Sequence, residues 1–226
     1  MRADVAIIVP LYNEETVVGD VVRNLKKIFK HVVCVDDGST DDSAGAVSKT
    51  GAYIVSHPIN MGQGAALQTG IEFARQIPGV NYFVTYDADG QHRIEDVLTM
   101  LKEIKKTNVD IVLGSRFLGS TVNMPRIKKV LLKLAVQFSN KLSGVRLTDT
   151  HNGLRVFNKN VAKQMQITMP DMAHASEIVE IIAQKKFTYI EVPVTIEYTE
   201  YSRSKGQSII NAVNIAFDAI LRKVGR

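Results

Sequence analysis

The feature that most restricts how this chain can fold is an alternation of short apolar runs with longer helical patterns. The strand-like runs, rich in β-branched residues, fall at residues 6–9, 32–35, 53–55, 82–86 and 110–113. Helical patterns separate them at residues 15–29, 42–49, 64–76 and 94–105. Such alternation is typical of βαβ units, and apolar strands are typical of a sheet covered on both faces. We therefore predict an α/β fold with a mostly parallel central sheet flanked by helices.

The second half of the chain is less regular. An amphipathic helix is predicted at residues 126–142, a strand at 154–157, a helix at 173–184, an extended segment at 189–198 and a closing helix at 208–223. The 226 residues contain no internal repeat, linker or low-complexity segment. A single domain over residues 1–226 is therefore expected.

The composition is that of a folded globular chain, with 45% hydrophobic and 23% charged residues. The one cysteine, Cys34, cannot form an internal disulfide, so a reducing compartment fits best, and its apolar surroundings predict a buried strand residue. A net charge of +5 suits a phosphate-bearing ligand, an anionic membrane surface or nucleic acid. Nucleic-acid binding is the weakest of these, because aromatic residues do not interleave with the basic ones.

No segment of the sequence predicts a membrane span. No stretch approaches the roughly 20 apolar residues that cross a bilayer, and the apolar run at residues 5–9 is too short for a secretory signal. We expect that the chain does not cross a membrane by itself.

Polar clusters follow several predicted strands, which is where open α/β sheets bind ligands. The segment 87–91 places Asp87 and Asp89 one residue apart after an apolar strand. In extended backbone these two carboxylates face the same way, and a hard divalent cation would relieve their repulsion. Gln91 adds an amide oxygen or a hydrogen bond. The alternative interpretation is a solvated turn.

Three further clusters each allow a functional and a plain interpretation. Tyr12 can stack on a base and Glu14 can bond its edge, or residues 9–15 are a strand-to-helix turn with Asn13 as N-cap. The carboxylates of residues 35–42 suit a ligand edge or ribose hydroxyls, or else a turn with Asp41 or Asp42 as helix cap. Backbone N–H groups of the glycine-rich segment 60–65 can approach an anion, or form a tight turn.

Together, and in this order, the four segments resemble the family 2 glycosyltransferases with the GT-A fold. The matching patterns are V-P-x-Y-N-E, V-D-D-G-S-x-D, N-x-G-x-G-A and D-A-D-x-Q. The resemblance implies a nucleotide-sugar site in the half formed by residues 1–116, and Mg²⁺ or Mn²⁺ as cofactor at Asp87, Asp89 and Gln91. The implied nucleotide-sugar-binding residues are Pro10, Tyr12, Glu14, Asp37, Gly64 and Asp87.

The second half, residues 117–226, together with the end of the first, resembles the dolichyl- and polyprenyl-phosphate sugar transferases. The patterns are G-S-R at 114–116, D-x-x-x-G-x-R at 149–155 and R-x-x-G-x-S at 203–208, where Ile209 departs from the usual Lys that follows. A lipid phosphate is already an anion, so it needs cationic donors more than a strong base. The implied acceptor-phosphate residues are Arg116, Arg126, Arg203 and Lys205, each alternatively a solvated charge, and the implied catalytic residues are Asp89, Arg116 and Asp149.

The sequence therefore predicts an inverting enzyme that moves a hexose from a UDP- or GDP-sugar to a polyprenyl phosphate such as dolichyl or undecaprenyl phosphate. We expect it at the cytoplasmic face of a membrane, held by its amphipathic helices or by a separate small membrane protein. The alternative is that these amphipathic helices pack against the protein core and do not contact a membrane.

Several alternatives stay open. Transfer to a saccharide hydroxyl in cell-wall or surface polysaccharide assembly would need a carboxylate base, and Asp149 or Glu177 would supply it. A non-catalytic binding module or a nucleotidyltransferase fits less well, because the acidic pair is present and no arginine-rich phosphate loop opens the chain. His174 and Glu177 either bind the donor sugar or orient their helix, and His92 and His151 are not expected to be metal ligands.

Overall fold

The computed structural model describes residues 1–122, 124, 126–170, 173–198 and 201, with the side chains of residues 126, 128 and 142 outside the description. The strands are β1 (Arg2–Leu11), β2 (Phe29–Asp36), β3 (Tyr53–Ser56), β4 (Tyr82–Thr85), β5 (Ile111–Val122), β6 (Arg155–Asn158) and β7 (Tyr189–Glu197). The helices are α1 (Val18–Lys26), α2 (Ser43–Ser48), α3 (Gln63–Arg75), α4 (Ile94–Thr107), α5 (Arg126–Ser143), α6 (Lys159–Gln164) and α7 (Ala173–Lys185). The predicted alternation is therefore confirmed up to β5.

The described strands form one sheet in the order β3-β2-β1-β4-β6-β5-β7. β1 pairs in parallel with β2 and β4, β2 with β3, and β5 with β7. Among the described strands, only β6 runs the other way, antiparallel to both β4 and β5. The prediction of a mostly parallel sheet is confirmed, and the reversed strand is the feature that the alternation alone did not indicate.

Two apolar layers hold helices on both faces of the sheet. Val5, Ile7 and Val9 of β1 point to the face covered by α1 and α4. Ala6 and Ile8 point to the face covered by α3, α6 and α7. All five are fully buried, which is worth about 1.5–3 kcal/mol for each large aliphatic side chain and explains why the strands read as continuous apolar runs.

The prediction for the first helix was wrong at both ends. Helix α1 begins at Val18, and Phe29, which the helical period had included, is the first residue of β2. Phe29 is fully buried and pairs with Arg2 across the sheet, so long-range pairing outweighs the local period. Asn13 does not cap α1; it has a φ of 55°, and its Oδ1 accepts a hydrogen bond from the Thr40 N–H at 2.8 Å.

Two further differences lie in the second half. β5 continues from the predicted strand at 110–113 as far as Val122, because it pairs with β7 over most of that length. Helix α6 was not predicted; it begins after Asn158, whose side chain accepts a hydrogen bond from the Val161 N–H at 2.9 Å.

Other predictions can be set against the structure directly. Helix α5 confirms the amphipathic helix, and Cys34 is buried, which raises the pKa of its thiol to about 12. Within the described part of the chain, no helix combines the length and apolar character needed to cross a bilayer. The predicted helix at 208–223 lies outside the described residues.

Candidate active site

The carboxyl ends of β1, β2 and β4 meet at one edge of the sheet, since these three strands are parallel neighbours. The chain beyond them lines a cleft of about 570 Å³. Eight predicted site residues line this cleft: Pro10, Tyr12, Glu14, Asp37, Asp87, Asp89, Gln91 and Arg116. The edge of the sheet thus brings together residues separated by more than a hundred positions.

The remaining predicted residues have other positions. Asp149 is buried behind Arg116, as described below. Gly64 packs against backbone: a Cβ there would lie 2.0 Å from the carbonyl oxygen of Met169, so the position admits only glycine. The side chain of Arg126, together with Arg203 and Lys205, lies outside the described residues.

Asp37 organises the glycine-rich segment at one side of the cleft. Its carboxylate accepts hydrogen bonds from the N–H groups of Met61 at 2.9 Å and Gly62 at 2.7 Å. It also contacts Nδ1 of His57 at 2.7 Å, while His57 Nε2 lies 2.9 Å from Oγ1 of Thr69 on α3. The carboxylate is therefore held from three sides, and its buried position depends on these partners.

The first two motifs are joined by side-chain to backbone hydrogen bonds. The Asn13 N–H donates to Ser39 Oγ at 2.9 Å, and the Glu14 N–H donates to Ser43 Oγ at 2.7 Å. Tyr201 donates from its hydroxyl to Glu14 Oε2 at 2.7 Å, which brings the segment after β7 to the same place. Tyr12 is 43% exposed and lines the cleft.

The acidic pair is held by neighbours that the sequence did not single out for this task. Asp87 contacts Nε2 of His92 at 3.0 Å and accepts from Nε2 of Gln63 at 3.1 Å. Asp89 accepts from the backbone N–H of Gln91 at 3.1 Å and from its amide Nε2 at 2.6 Å. These contacts leave lone pairs unused on both carboxylates, and both residues line the cleft.

The electrostatics of the pair are unequal. Burial and the negative charge of Asp87 raise the pKa of Asp89 to about 6. Burial also acts to raise the pKa of Asp87, but the hydrogen bond from His92 and the positive charges of His92, Arg155 and His174 outweigh it, so this pKa lies below the ordinary value. A cation placed between the two carboxylates would remove the cost of holding both ionised.

A metal site complete in protein side chains is not present among the residues that the structure describes, since no three His, Cys, Asp or Glu side chains converge. Asp87 and Asp89 supply two carboxylates, and Gln91 an amide, at the wall of an open cleft. This donor set fits a hard divalent ion that shares its remaining positions with ligand phosphates and water, as Mg²⁺ usually does.

Arg116 and Asp149 form a buried ion pair. Asp149 Oδ2 accepts from Nε of Arg116 at 2.6 Å and from its backbone N–H at 3.0 Å. Arg116 also donates to the Tyr198 hydroxyl at 3.1 Å and to the His151 carbonyl at 3.0 Å. Burial acts to lower the pKa of Arg116, but Asp149 and Tyr198 more than reverse this, so the guanidinium stays charged.

His174 and Glu177 of helix α7 have different surroundings: His174 lines the cleft, whereas Glu177 bonds to a neighbouring segment. His174 lines the cleft and is 3% exposed. Glu177 accepts from the N–H groups of Thr168 at 3.0 Å and Met169 at 2.9 Å, and from the Thr168 hydroxyl at 2.6 Å. These contacts join α7 to residues 168–169, so for Glu177 they support the second interpretation, orientation of its helix. Burial lowers the pKa of His151 to about 4, so that imidazole is neutral.

Sequence reasoning missed His57, Gln63, Tyr198 and Arg155 as residues of this site. His57 follows directly on β3, so the rule that ligand-binding residues follow strand ends would have found it. The sequence indicated Arg155 only as the last residue of the D-x-x-x-G-x-R pattern, with no role of its own. The partners of Tyr198 are set by pairing of β5 with β7, which no local pattern indicates.

A known protein family matches most of the chain. The family model described as Glycosyl transferase family 2 matches residues 6–165. The chain belongs to this family. The expectation of a glycosyltransferase is thereby confirmed.

Two relatives show the range of the family around this chain. The UDP-N-acetylglucosamine–dolichyl-phosphate N-acetylglucosaminyltransferase of Methanococcus voltae is 30% identical, with 97% of this chain and 96% of the relative covered. The polyprenol monophosphomannose synthase of Mycolicibacterium smegmatis is 28% identical, with 88% and 79% covered.

Among solved structures, glucosyl-3-phosphoglycerate synthase from Mycobacterium tuberculosis, crystallised with Mn²⁺, UDP and phosphoglyceric acid, superposes with a TM-score of 0.73. It is 14% identical, and the match covers 96% of this chain and 76% of that one. This likeness confirms the GT-A fold.

Proposed function

We propose that this glycosyltransferase moves a hexose from a nucleotide diphosphate sugar to a polyprenyl phosphate, with inversion at the anomeric carbon. The observation that carries the proposal is the convergence of the nucleoside-side residues, the acidic pair and Arg116 in one cleft. The two relatives named as polyprenyl- or dolichyl-phosphate enzymes, which match nearly the full length of the chain, support this acceptor class. Their different sugars leave the donor open.

The donor would lie across the carboxyl ends of β1, β2 and β4, within the half formed by residues 1–116. Pro10, Tyr12, Glu14 and Asp37 would contact the nucleoside at one end of the cleft. Asp87, Asp89 and Gln91 would contact the diphosphate at the other. The bonds of Asp37 to Met61 and Gly62 support this assignment, since they fix its carboxylate beside the glycine-rich segment at the wall of the cleft.

The same three residues, Asp87, Asp89 and Gln91, would hold Mg²⁺ or Mn²⁺, which when bound neutralises charge on the leaving diphosphate. The raised pKa of Asp89 supports this, because its carboxylate is held beside Asp87 at a cost that a bound cation offsets. His92 would keep Asp87 in position from behind, as partners of metal-binding carboxylates do.

In the proposed reaction an oxygen of the acceptor phosphate attacks the anomeric carbon. The bond from that carbon to the donor diphosphate breaks, and its electron pair leaves with the nucleoside diphosphate. No proton has to be removed from the acceptor, so no strong base is needed. Arg116 has five N–H donors and its side chain gives three to the protein, which leaves two for the acceptor phosphate.

The contacts of the two candidate bases argue against a saccharide hydroxyl as acceptor. Asp149 gives Oδ2 to Arg116, and its Oδ1 is buried without a hydrogen-bond partner among the described residues. Glu177 gives both oxygens to Thr168 and Met169. Neither carboxylate is presented to a hydroxyl in the cleft, which supports an acceptor that is already ionised.

Residues 117–226 would form the acceptor half, with Arg126, Arg203 and Lys205 as further phosphate contacts. On helix α5, Ile127, Val130 and Leu134 are 64%, 58% and 57% exposed. Exposed Lys129 and Lys133 alternate with them. An apolar stripe flanked by lysines suits the interface of an anionic bilayer, so we place the enzyme at the cytoplasmic face of a membrane, alone or with a small anchoring protein.

The test is a product analysis. The protein is incubated with Mn²⁺ or Mg²⁺, polyprenyl phosphate in detergent and a panel of UDP- and GDP-sugars, and the lipid product is identified by mass. We expect one hexosyl phosphopolyprenol, lost on addition of EDTA and absent when the uncharged polyprenol replaces its phosphate. Transfer to a saccharide, with none to the lipid phosphate, would refute the proposed acceptor.

A further inference from the structure

Arg155 is a buried cation of the cleft to which no task has so far been given. It is the first residue of β6, is 3% exposed and lines the cleft together with Asp87 and Arg116. Its Nη1 atom is buried and has no hydrogen-bond partner within the described part of the chain. A buried donor without a partner costs about 1–3 kcal/mol, and more when it is charged.

The reversed strand explains how this arginine reaches the site. β6 lies between β4 and β5, and Arg155 pairs with Thr85 on one side and Leu113 on the other. Thr85 ends β4 two residues before Asp87. The side chain therefore leaves the sheet at the point where the acidic segment begins. Gly153 lies close to the carboxylate of Asp87: a Cβ on Gly153 would be 2.2 Å from Asp87 Oδ2.

Comparison with Arg116 shows that Arg155 is not an ordinary structural arginine. Both line the cleft. Arg116 is held by three side-chain hydrogen bonds and a direct ion pair with Asp149. Arg155 feels the charges of Asp87 and Asp149, but burial dominates and lowers its pKa to about 10. Burial of this charged guanidinium is unfavourable, and one of its N–H donors has no hydrogen-bond partner among the described residues. Such a group is suited to bind an anion in the cleft.

We infer that Arg155 is a phosphate-contacting residue, whose guanidinium donates to a phosphate oxygen of a ligand in the cleft. This rests on the proposed function, which brings two sources of phosphate there: the donor diphosphate and the lipid phosphate. The proximity of Asp87 favours the diphosphate, whose negative charge grows as the sugar leaves. Arg155 would then stabilise the leaving group from the β6 side of the cleft, beside Asp87.

The experiment compares Arg155→Gln and Arg155→Lys with Arg146→Gln, which removes an exposed arginine nearby in the chain. Binding of UDP or GDP, whichever the wild-type enzyme prefers, is measured by calorimetry with Mn²⁺, alongside binding of the matching nucleoside. Losing one bond between charged groups should weaken diphosphate binding by about 10- to 100-fold and leave nucleoside binding unchanged. The diphosphate affinity of Arg155→Lys should lie between those of wild type and Arg155→Gln. The affinity of Arg146→Gln should match that of wild type.

The outcomes separate the possibilities. Unchanged diphosphate affinity with a raised KM for polyprenyl phosphate would keep the inference and assign the contact to the acceptor. Equal losses of affinity for nucleoside and diphosphate would overturn it, as would an unchanged diphosphate affinity together with an unchanged KM for polyprenyl phosphate. If Arg155→Gln fails to fold, Arg155→Lys decides by the same measurements. Failure of the wild-type enzyme to bind UDP or GDP would count against the proposed function, not against Arg155.

Discussion

Replacing Gly153 with alanine should disable the site and leave the fold nearly intact. The added Cβ would lie 2.2 Å from Oδ2 and 2.6 Å from Oδ1 of Asp87, where about 3.5 Å is an ordinary contact. The Asp87 carboxylate must therefore move by about 1 Å. Gly153 does not adopt positive φ, so alanine adds no backbone strain there. The atoms that must yield are the end of one side chain, which explains why the damage should stay local.

A displacement of about 1 Å in a reacting site can cost about 100-fold in rate, which corresponds to about 2.7 kcal/mol of barrier. We expect that loss in transferase rate for Gly153→Ala, with an apparent affinity for Mn²⁺ reduced to a similar degree. Thermal unfolding followed by circular dichroism should show a midpoint within a few degrees of wild type. The transferase assay is the product analysis described above, with a labelled donor sugar.

Gly45→Ala is the matched control. Its Cβ would lie 2.0 Å from Oδ1 of Asp42, so it too displaces a carboxylate. Asp42 is 71% exposed and does not line the cleft. The control should keep full activity and, being a Gly→Ala change within α2, should gain up to about 1 kcal/mol of stability. Full activity in Gly153→Ala would refute the reasoning, because Asp87 would then not need its observed position.

Three shorter predictions concern other parts of the molecule. His57→Ala removes the contacts with Asp37 and Thr69, so the KM for the donor should rise about tenfold or more while kcat changes less; an unchanged KM would contradict a positioning role. Arg116→Ala should lower activity on polyprenyl phosphate by at least about 100-fold, and retention of full activity would argue against a phosphate acceptor bound there. Val130→Ser with Leu134→Ser removes two exposed apolar side chains, and sedimentation with anionic vesicles should show about tenfold weaker binding than wild type; equal binding would rule out this face of α5.

The sequence predicted the strands and the edge of the sheet where the site lies, because apolar runs and the polar residues after them are local signals. Asp87 and Asp89 follow β4 as expected. What it did not predict depends on contacts between distant segments. The ion pair of Arg116 with Asp149 joins residues 33 positions apart. Glu177 bonds to Thr168, a contact that no local pattern indicates and that argues against its role as a base. Such side-chain contacts form only after distant strands have paired in the folded sheet.

The insertion of β6 between β4 and β5 also bears on how the chain assembles during synthesis. β1 to β4 can pair as they emerge, since each joins a strand already made. β5 has no such neighbour: it pairs with β6 and β7, which follow it in the chain. Until residues 155–158 leave the ribosome, the open edge of β4 is unprotected, and exposed strand edges recruit other chains. Release of a nascent chain between β5 and β6 should therefore yield an aggregation-prone fragment, whereas release after β7 should not.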